Sequence, residues 1–122
     1  MLGRFLLSLI TFATLVGSSA QAYDLYAAIA YSDSTGRWGY SFDNYTLADA
    51  SVSAVSRCAA YDCHVKTWVR NGCAALARGY SGGLGWAYND SLAYARTRAI
   101  QECNAWGYGC GIVAWACTSG HS

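Results

Sequence analysis

Charge is scarce in this 122-residue chain, with Asp, Glu, Lys and Arg at 12%, and it is balanced. Eight basic side chains stand against seven acidic ones, and removing Arg4 with the leader described below makes the two sets equal. No basic cluster is longer than the scattered Arg96 and Arg98, which excludes an electrostatic grip on nucleic acid or anionic lipid. Histidine occurs only at His64 and His121, and no Cys-x-x-Cys spacing is present. The thiolate and imidazole sets that hold structural zinc are therefore missing, and neither a metal nor another cofactor is expected. Downstream of Ala22 no apolar run reaches the roughly 20 residues needed to cross a bilayer, so no stable membrane insertion is expected of the mature chain.

What is present begins with an export signal. Residues 1–22 carry one basic side chain at Arg4, then an apolar run from Phe5 to Val16, then Ser18-Ser19-Ala20-Gln21-Ala22. That order is a basic end, a short apolar core and a small-x-small cleavage site. Cleavage after Ala22 leaves residues 23–122, the size of one domain with a modest core. Six cysteines in so short an exported chain read as a disulfide framework, which places the protein in a secreted or periplasmic setting.

Spacing alone does not choose among the possible pairings of Cys58, Cys63, Cys73, Cys103, Cys110 and Cys117. An internal repeat orders them. Tyr26-Ala27-Ala28-Ile29-Ala30 matches Cys73-Ala74-Ala75-Leu76-Ala77 at an offset of 47, and Gly39-Tyr40-Ser41-Phe42 matches Gly85-Trp86-Ala87-Tyr88 at 46. Thr46-Leu47, Ala50, Ala54-Val55 and Cys58 match Ser91-Leu92, Ala95, Ala99-Ile100 and Cys103 at 45, and Cys63, Val65 and Trp68 match Cys110, Ile112 and Trp115 at 47 again. The drift falls between elements, where loops change length. A tandem duplication accounts for it, with repeat 1 at about 26–72 and repeat 2 at about 73–118, together one pseudo-symmetric domain. Cys58 with Cys63 and Cys103 with Cys110 then become equivalent local staples, and Cys73 is left for Cys117. The counterparts of that last pair are Tyr26 and Arg70, expected to be neighbours without a bond. Closing the loop of about 44 residues between Cys73 and Cys117 contributes about 4 kcal/mol on the chain-entropy model.

Alternating apolar and aromatic residues from Tyr23 to Ser32, the turn cluster Asp33-Ser34-Thr35-Gly36 and the run Arg37 to Phe42 predict a β-hairpin. Thr46 offers an N-cap, and Leu47, Ala50, Ala54 and Cys58 form one helical stripe running to about Ala60. A third strand follows from His64 to Asn71. The second half repeats the order with strands at Ala74 to Arg78 and Leu84 to Tyr88, a helix from Leu92 to Asn104 capped by Ser91, and a strand from Gly111 to Thr118. The fold class is α+β: a duplicated ββαβ unit, two helices against a largely antiparallel sheet, stapled by disulfides.

These residues, from Tyr26-Ala27-Ala28-Ile29-Ala30 and Trp38-Gly39-Tyr40 through Cys73-Ala74-Ala75-Leu76-Ala77 and Gly85-Trp86 to Cys103, Cys110, Trp115 and Cys117, resemble a bacterial family of small exported proteins, domain of unknown function 4189. The resemblance covers nearly all of the mature chain. It implies a bacterial periplasmic or secreted protein and supplies no activity or catalytic residue.

Chemistry has to be sought residue by residue. Asp62-Cys63-His64 places a thiol beside an imidazole, but Cys63 is accounted for by its repeat partner Cys110, and His64 is absent from the shared pattern, so no thiol enzyme is expected. A wall-active hydrolase needs paired carboxylates, and Asp24, Asp33, Asp43, Asp49, Asp62, Asp90 and Glu102 show no convergence along the chain. Rings are the remaining candidates. Trp38, Tyr40 and Phe42 alternate along one strand and Trp86 and Tyr88 along its repeat, which makes Trp38, Tyr40, Trp86 and Tyr88, with His64, the possible binding residues. For a chain this small the competing expectation is burial of Trp38 and Trp86 beneath the helices, with Trp68 and Trp115 also in the core. The function expected is a non-enzymatic binding or interaction domain for an unknown protein or cell-wall ligand. A secreted effector or enzyme inhibitor and a small cell-wall hydrolase are the alternatives.

Overall fold

The computed structural model describes residues 23–122, so the leader expected over residues 1–22 lies outside the described residues. Eight elements follow in order: β1 (Tyr26–Tyr31), β2 (Trp38–Asn44), α1 (Leu47–Cys58), β3 (His64–Arg70), β4 (Cys73–Arg78), β5 (Leu84–Asn89), α2 (Leu92–Trp106) and β6 (Gly111–Cys117). This is ββαβ twice. All pairings are antiparallel, and they divide into two three-stranded sheets of order β2-β1-β3 and β5-β4-β6.

Alternation along the central strands sets the layers. Ala28 and Ala30 pack against Ala50, Ala54 and Cys58 of α1, and Ala75 and Ala77 pack against Ala95, Ala99 and Cys103 of α2. The opposite faces meet each other: Ala27, Ile29, Tyr31 and Val69 of the first sheet close on Ala74, Leu76, Ala114 and Ala116 of the second. The order through the molecule is helix, sheet, sheet, helix. Each helix starts on a side-chain cap, Thr46 accepting from the Asp49 N–H and Ser91 from the Tyr94 N–H, which satisfies a donor that the first turn leaves free.

Alanine on both sides of each helix interface lets the backbones come close, and two glycines make that approach possible. A Cβ on Gly39 would lie 2.2 Å from the Cys58 nitrogen, and one on Gly85 would lie 2.1 Å from the Ala99 carbonyl oxygen. Alanine also buries little area, at about 25 cal/mol per Å2, so cross-links matter to stability. The disulfides join Cys58 to Cys63, Cys103 to Cys110 and Cys73 to Cys117, the pairs ordered by the repeat. Cys73 stands directly opposite Cys117 in the β4–β6 ladder, and Tyr26 stands opposite Arg70 in the β1–β3 ladder.

The length changes of the repeat have structural addresses. Both outer strands β3 and β6 shift register at the same station, between Ile29 and Ala30 and between Leu76 and Ala77. The β1–β2 ladder alone has a further irregularity between Tyr26 and Ala28, where Asp43 takes a positive φ of 56°. This bulge residue is the one that drops the offset from 46 to 45. The Cys103–Cys110 segment is longer than Cys58–Cys63, with a separation of 7 against 5, which restores the offset to 47.

Candidate functional site

The alanine-packed helix–sheet layers leave little space for indole, and the exposure of the tryptophans corrects the expectation that they are core. Trp38, Trp68, Trp86 and Trp115 are exposed at 41, 44, 44 and 46% respectively. Gly39 and Gly85 face the helices, so their strand neighbours Trp38 and Trp86 point the other way, at the edges of the two sheets. Trp68 and Trp115 stand opposite Ala28 and Ala75, on the helix-facing side of edge strands, at the margin of helices too closely packed to admit them.

Trp38, Trp68 and Trp115 line two grooves, each made by an edge strand of one unit and an edge strand of the other. The smaller, about 440 Å3, runs between β2 and β6 and is lined by Trp38, Tyr40, Phe42, Val113 and Trp115. Its rings form a ladder along β2: Trp38 and Tyr40 have centroids 6.0 Å apart, and Tyr40 and Phe42 6.2 Å, with planes within 25° of each other. The larger groove, about 730 Å3, lies between β3 and β5, where Tyr26, Trp68 and Tyr88 are joined by Arg70, Asn89 and Asp90. Tyr26 and Trp68 contact each other at 6.3 Å.

Two indoles are already engaged by cations. The Lys66 ammonium stands 5.6 Å from the Trp86 ring and the Arg96 guanidinium 5.1 Å from the Trp115 ring, distances at which the ring quadrupole attracts positive charge. Of the residues singled out in the sequence, Trp38 and Tyr40 share the smaller groove and Tyr88 lines the larger, whereas Trp86 lies farther along β5 beneath Lys66. Tyr26, Trp68, Arg70 and Asp90 were not among the binding candidates. For Tyr26 and Arg70 the signal was the mismatch at one repeat station, where the second copy has a disulfide; Trp68 and Asp90 carried none.

His64 is outside both grooves. It belongs to a polar cluster at the loop end of the first unit, where its Nδ1 donates to the Asp62 carbonyl oxygen at 3.1 Å and its Nε2 is 3.9 Å from Asp33 Oδ2. Asp33 also meets Lys66 at 3.3 Å. At the centre of the cluster the Ser32 hydroxyl, fully buried, donates to Asp62 Oδ1 at 2.5 Å and accepts from the Thr35 N–H and hydroxyl. The Ser34 N–H donates to Asp62 Oδ2 at 3.0 Å. The Ser32 bond is the main cause that holds the Asp62 carboxyl below its ordinary value, with Ser34 adding to it. These bonds tie the β1–β2 turn to the Cys58–Cys63 loop.

Three further carboxylates are engaged apart from this cluster. Asp43 accepts from the Ser119 N–H at 2.8 Å and from the Ser119 hydroxyl, fastening the end of β2 to the C-terminal segment. Asp24 accepts from Asn71 and faces Arg70, and Glu102 pairs with Arg98 one helical turn away. Among the described residues no group of three or more His, Cys, Asp or Glu side chains is placed to hold a metal. Nor is there, among them, a helix long and apolar enough to cross a membrane.

Comparison with known proteins places this architecture among relatives. The model of a family described as "Domain of unknown function (DUF4189)" matches residues 26–117. The chain is 42% identical over 101 residues to Protein Mb1300c of Mycobacterium bovis, an alignment covering 80% of this chain and 73% of that protein. The same figures hold for Protein Rv1269c of Mycobacterium tuberculosis. The fold is similar to the NMR structure of Rv1813c from Mycobacterium tuberculosis, with a TM-score of 0.63, 26% identity and coverage of 96% of this chain and 95% of that one.

Proposed function

Since the chain belongs to the family described as domain of unknown function DUF4189, its role has to be argued from its own surface, and we propose that it is an exported, disulfide-locked binding domain. Its ligand is held on ring-lined grooves. The observation that carries this reading is the placement of the rings: the helix–sheet layers are filled mainly by alanine while four tryptophans stand half-exposed at the sheet margins. Aromatic area left in water on so small a domain is characteristic of a contact surface. Export is supported by the leader pattern of residues 1–22 and by three disulfides in a short chain. Asp24, Asp43 and Glu102 are engaged apart from one another, and Asp33 and Asp62 are taken up by ion-pair and hydrogen-bond contacts of the turn cluster, which favours binding over hydrolysis, because acid and base groups need to converge on one bond.

A second reading, an effector or inhibitor that faces a protein, is favoured by exposed Tyr80, Trp106 and Tyr108 near the loops of the second unit. Both readings meet one experiment. The disulfide-intact protein beginning at Tyr23 is immobilised and presented with envelope and culture-medium fractions of the producing bacterium, alongside Trp38→Ala, Trp68→Ala and Trp106→Ala. Retention of wall material that falls several-fold in Trp38→Ala or Trp68→Ala supports the groove reading. A protein lost only by Trp106→Ala supports the second, and retention of nothing by the wild type overturns both.

A further inference from the structure

We infer that the larger groove, between β3 and β5, takes a short neutral oligosaccharide; this rests on the binding reading above and names its ligand class. Ring availability is the first argument. Trp86 and Trp115 already carry Lys66 and Arg96 over their rings. In the first unit the station of Arg96 is held by Ser51, which has no cation to offer, and Trp68 has Tyr26 as its ring neighbour. Trp68 is thus an uncapped indole in a groove, with Tyr88 contributed by the other unit.

Charge is the second argument. Arg70 and Asp90 both line this groove, one of each sign, and the Arg70 guanidinium is 3.9 Å from Asp24. An anionic ligand would meet Asp90 and a quaternary ammonium would meet Arg70, so neither sign is favoured. What the lining complements is a neutral molecule with apolar ring faces and a perimeter that both donates and accepts hydrogen bonds, which describes a pyranose. Its C–H faces pack on rings, and its hydroxyls pair with guanidinium, carboxylate and amide groups. Asn89 accepts from the Ser91 N–H through Oδ1, which orients its amide and leaves two N–H donors to give. The volume of about 730 Å3 lies within the range of small-ligand sites, about 300–1,000 Å3. The smaller groove has no charged side chain in its lining and lacks this perimeter.

The test titrates the disulfide-intact Tyr23–Ser122 protein with chitotriose and with cellotriose, following backbone and indole NMR shifts. Choline chloride, sodium phosphate and tetra-alanine serve as comparison probes. The expected result is saturable shifts at Tyr26, Trp68, Tyr88 and Asn89 with at least one saccharide, weakened about tenfold by Trp68→Ala or by Tyr88→Ala and unchanged by Trp115→Ala. Near-ultraviolet circular dichroism establishes that each variant is folded. Absence of saturation by either saccharide at tens of millimolar, shifts centred on Trp38 instead, or tighter binding of choline, phosphate or the peptide overturns the assignment. If the saccharides fail while Trp68→Ala still abolishes retention of wall material, the ligand class falls and the binding reading stands.

Discussion

At the loop end of the first unit, Asp62 bridges two loops by accepting from Ser32 and Ser34. At the same stations of the second unit stand Gly109 and Gly79, and the loops touch directly: the Tyr80 N–H donates to the Tyr108 carbonyl oxygen at 3.1 Å, and a Cβ on Gly79 would lie 2.6 Å from that oxygen. At the far end the difference is reversed in kind. There the second unit has the Cys73–Cys117 bond where the first has Tyr26 opposite Arg70. The duplicated backbone therefore constrains the helix-on-strand contacts, which are alike in both copies, and leaves the strand ends free to diverge. A covalent clasp secures one copy there, and the other keeps side chains that line a groove.

The shared part of the comparison is the easiest to break. Gly39→Val and Gly85→Val each drive side-chain atoms into helix backbone, and each is expected to cost more than about 4 kcal/mol and abolish the cooperative urea transition. A variant of either glycine that unfolds like the wild type removes the equivalence of the two interfaces.

The divergent ends come next. Cys73→Ala/Cys117→Ala is expected to lower stability by about 4 kcal/mol in urea denaturation, the loop-closure value for its separation of 44 residues. Installing the missing clasp in the first unit, Tyr26→Cys/Arg70→Cys, closes a loop of the same length. A gain of similar sign, at the cost of the larger groove, sharpens the view that the first copy gave up a cross-link there; no gain from a formed bond refutes it.

The smallest effect is that of Asp62. Its carboxyl titrates below its ordinary value in the folded protein because of the Ser32 hydroxyl, so its contribution is present above about pH 3.9 and is lost as pH falls through the folded value. Asp62→Asn should flatten the acid decline of the urea midpoint below about pH 4. Gly109 has no group to titrate, so an equal acid decline in wild type and Asp62→Asn would locate the sensitivity elsewhere.

The duplication, the caps at Thr46 and Ser91 and the pairing of the cysteines were legible because they depend on residue identity at fixed spacing. The path of the outer strands was not. Strict alternation puts Val65, Thr67 and Val69 on one face, yet Val65 packs toward α1 and Val69 toward the other sheet, because the register shift intervenes. No glycine or turn residue marks it. Division into two sheets was equally hidden, since a strand pattern specifies which face is apolar and not what will cover it. The tryptophans were misplaced for a related reason. Size and hydrophobicity argue for burial, but the gap beneath each helix that would have to admit Trp68 and Trp115 is set by the alanines and glycines opposite, and Trp38 and Trp86 face away from the helices on the edge strands β2 and β5.

The alanine interior has a thermal consequence. The heat capacity released on unfolding scales with newly wetted apolar area, and here much of the ring area is wet already while the interior offers mainly methyl groups. The free energy of unfolding is then expected to bend less with temperature than in a domain of this size with its rings buried.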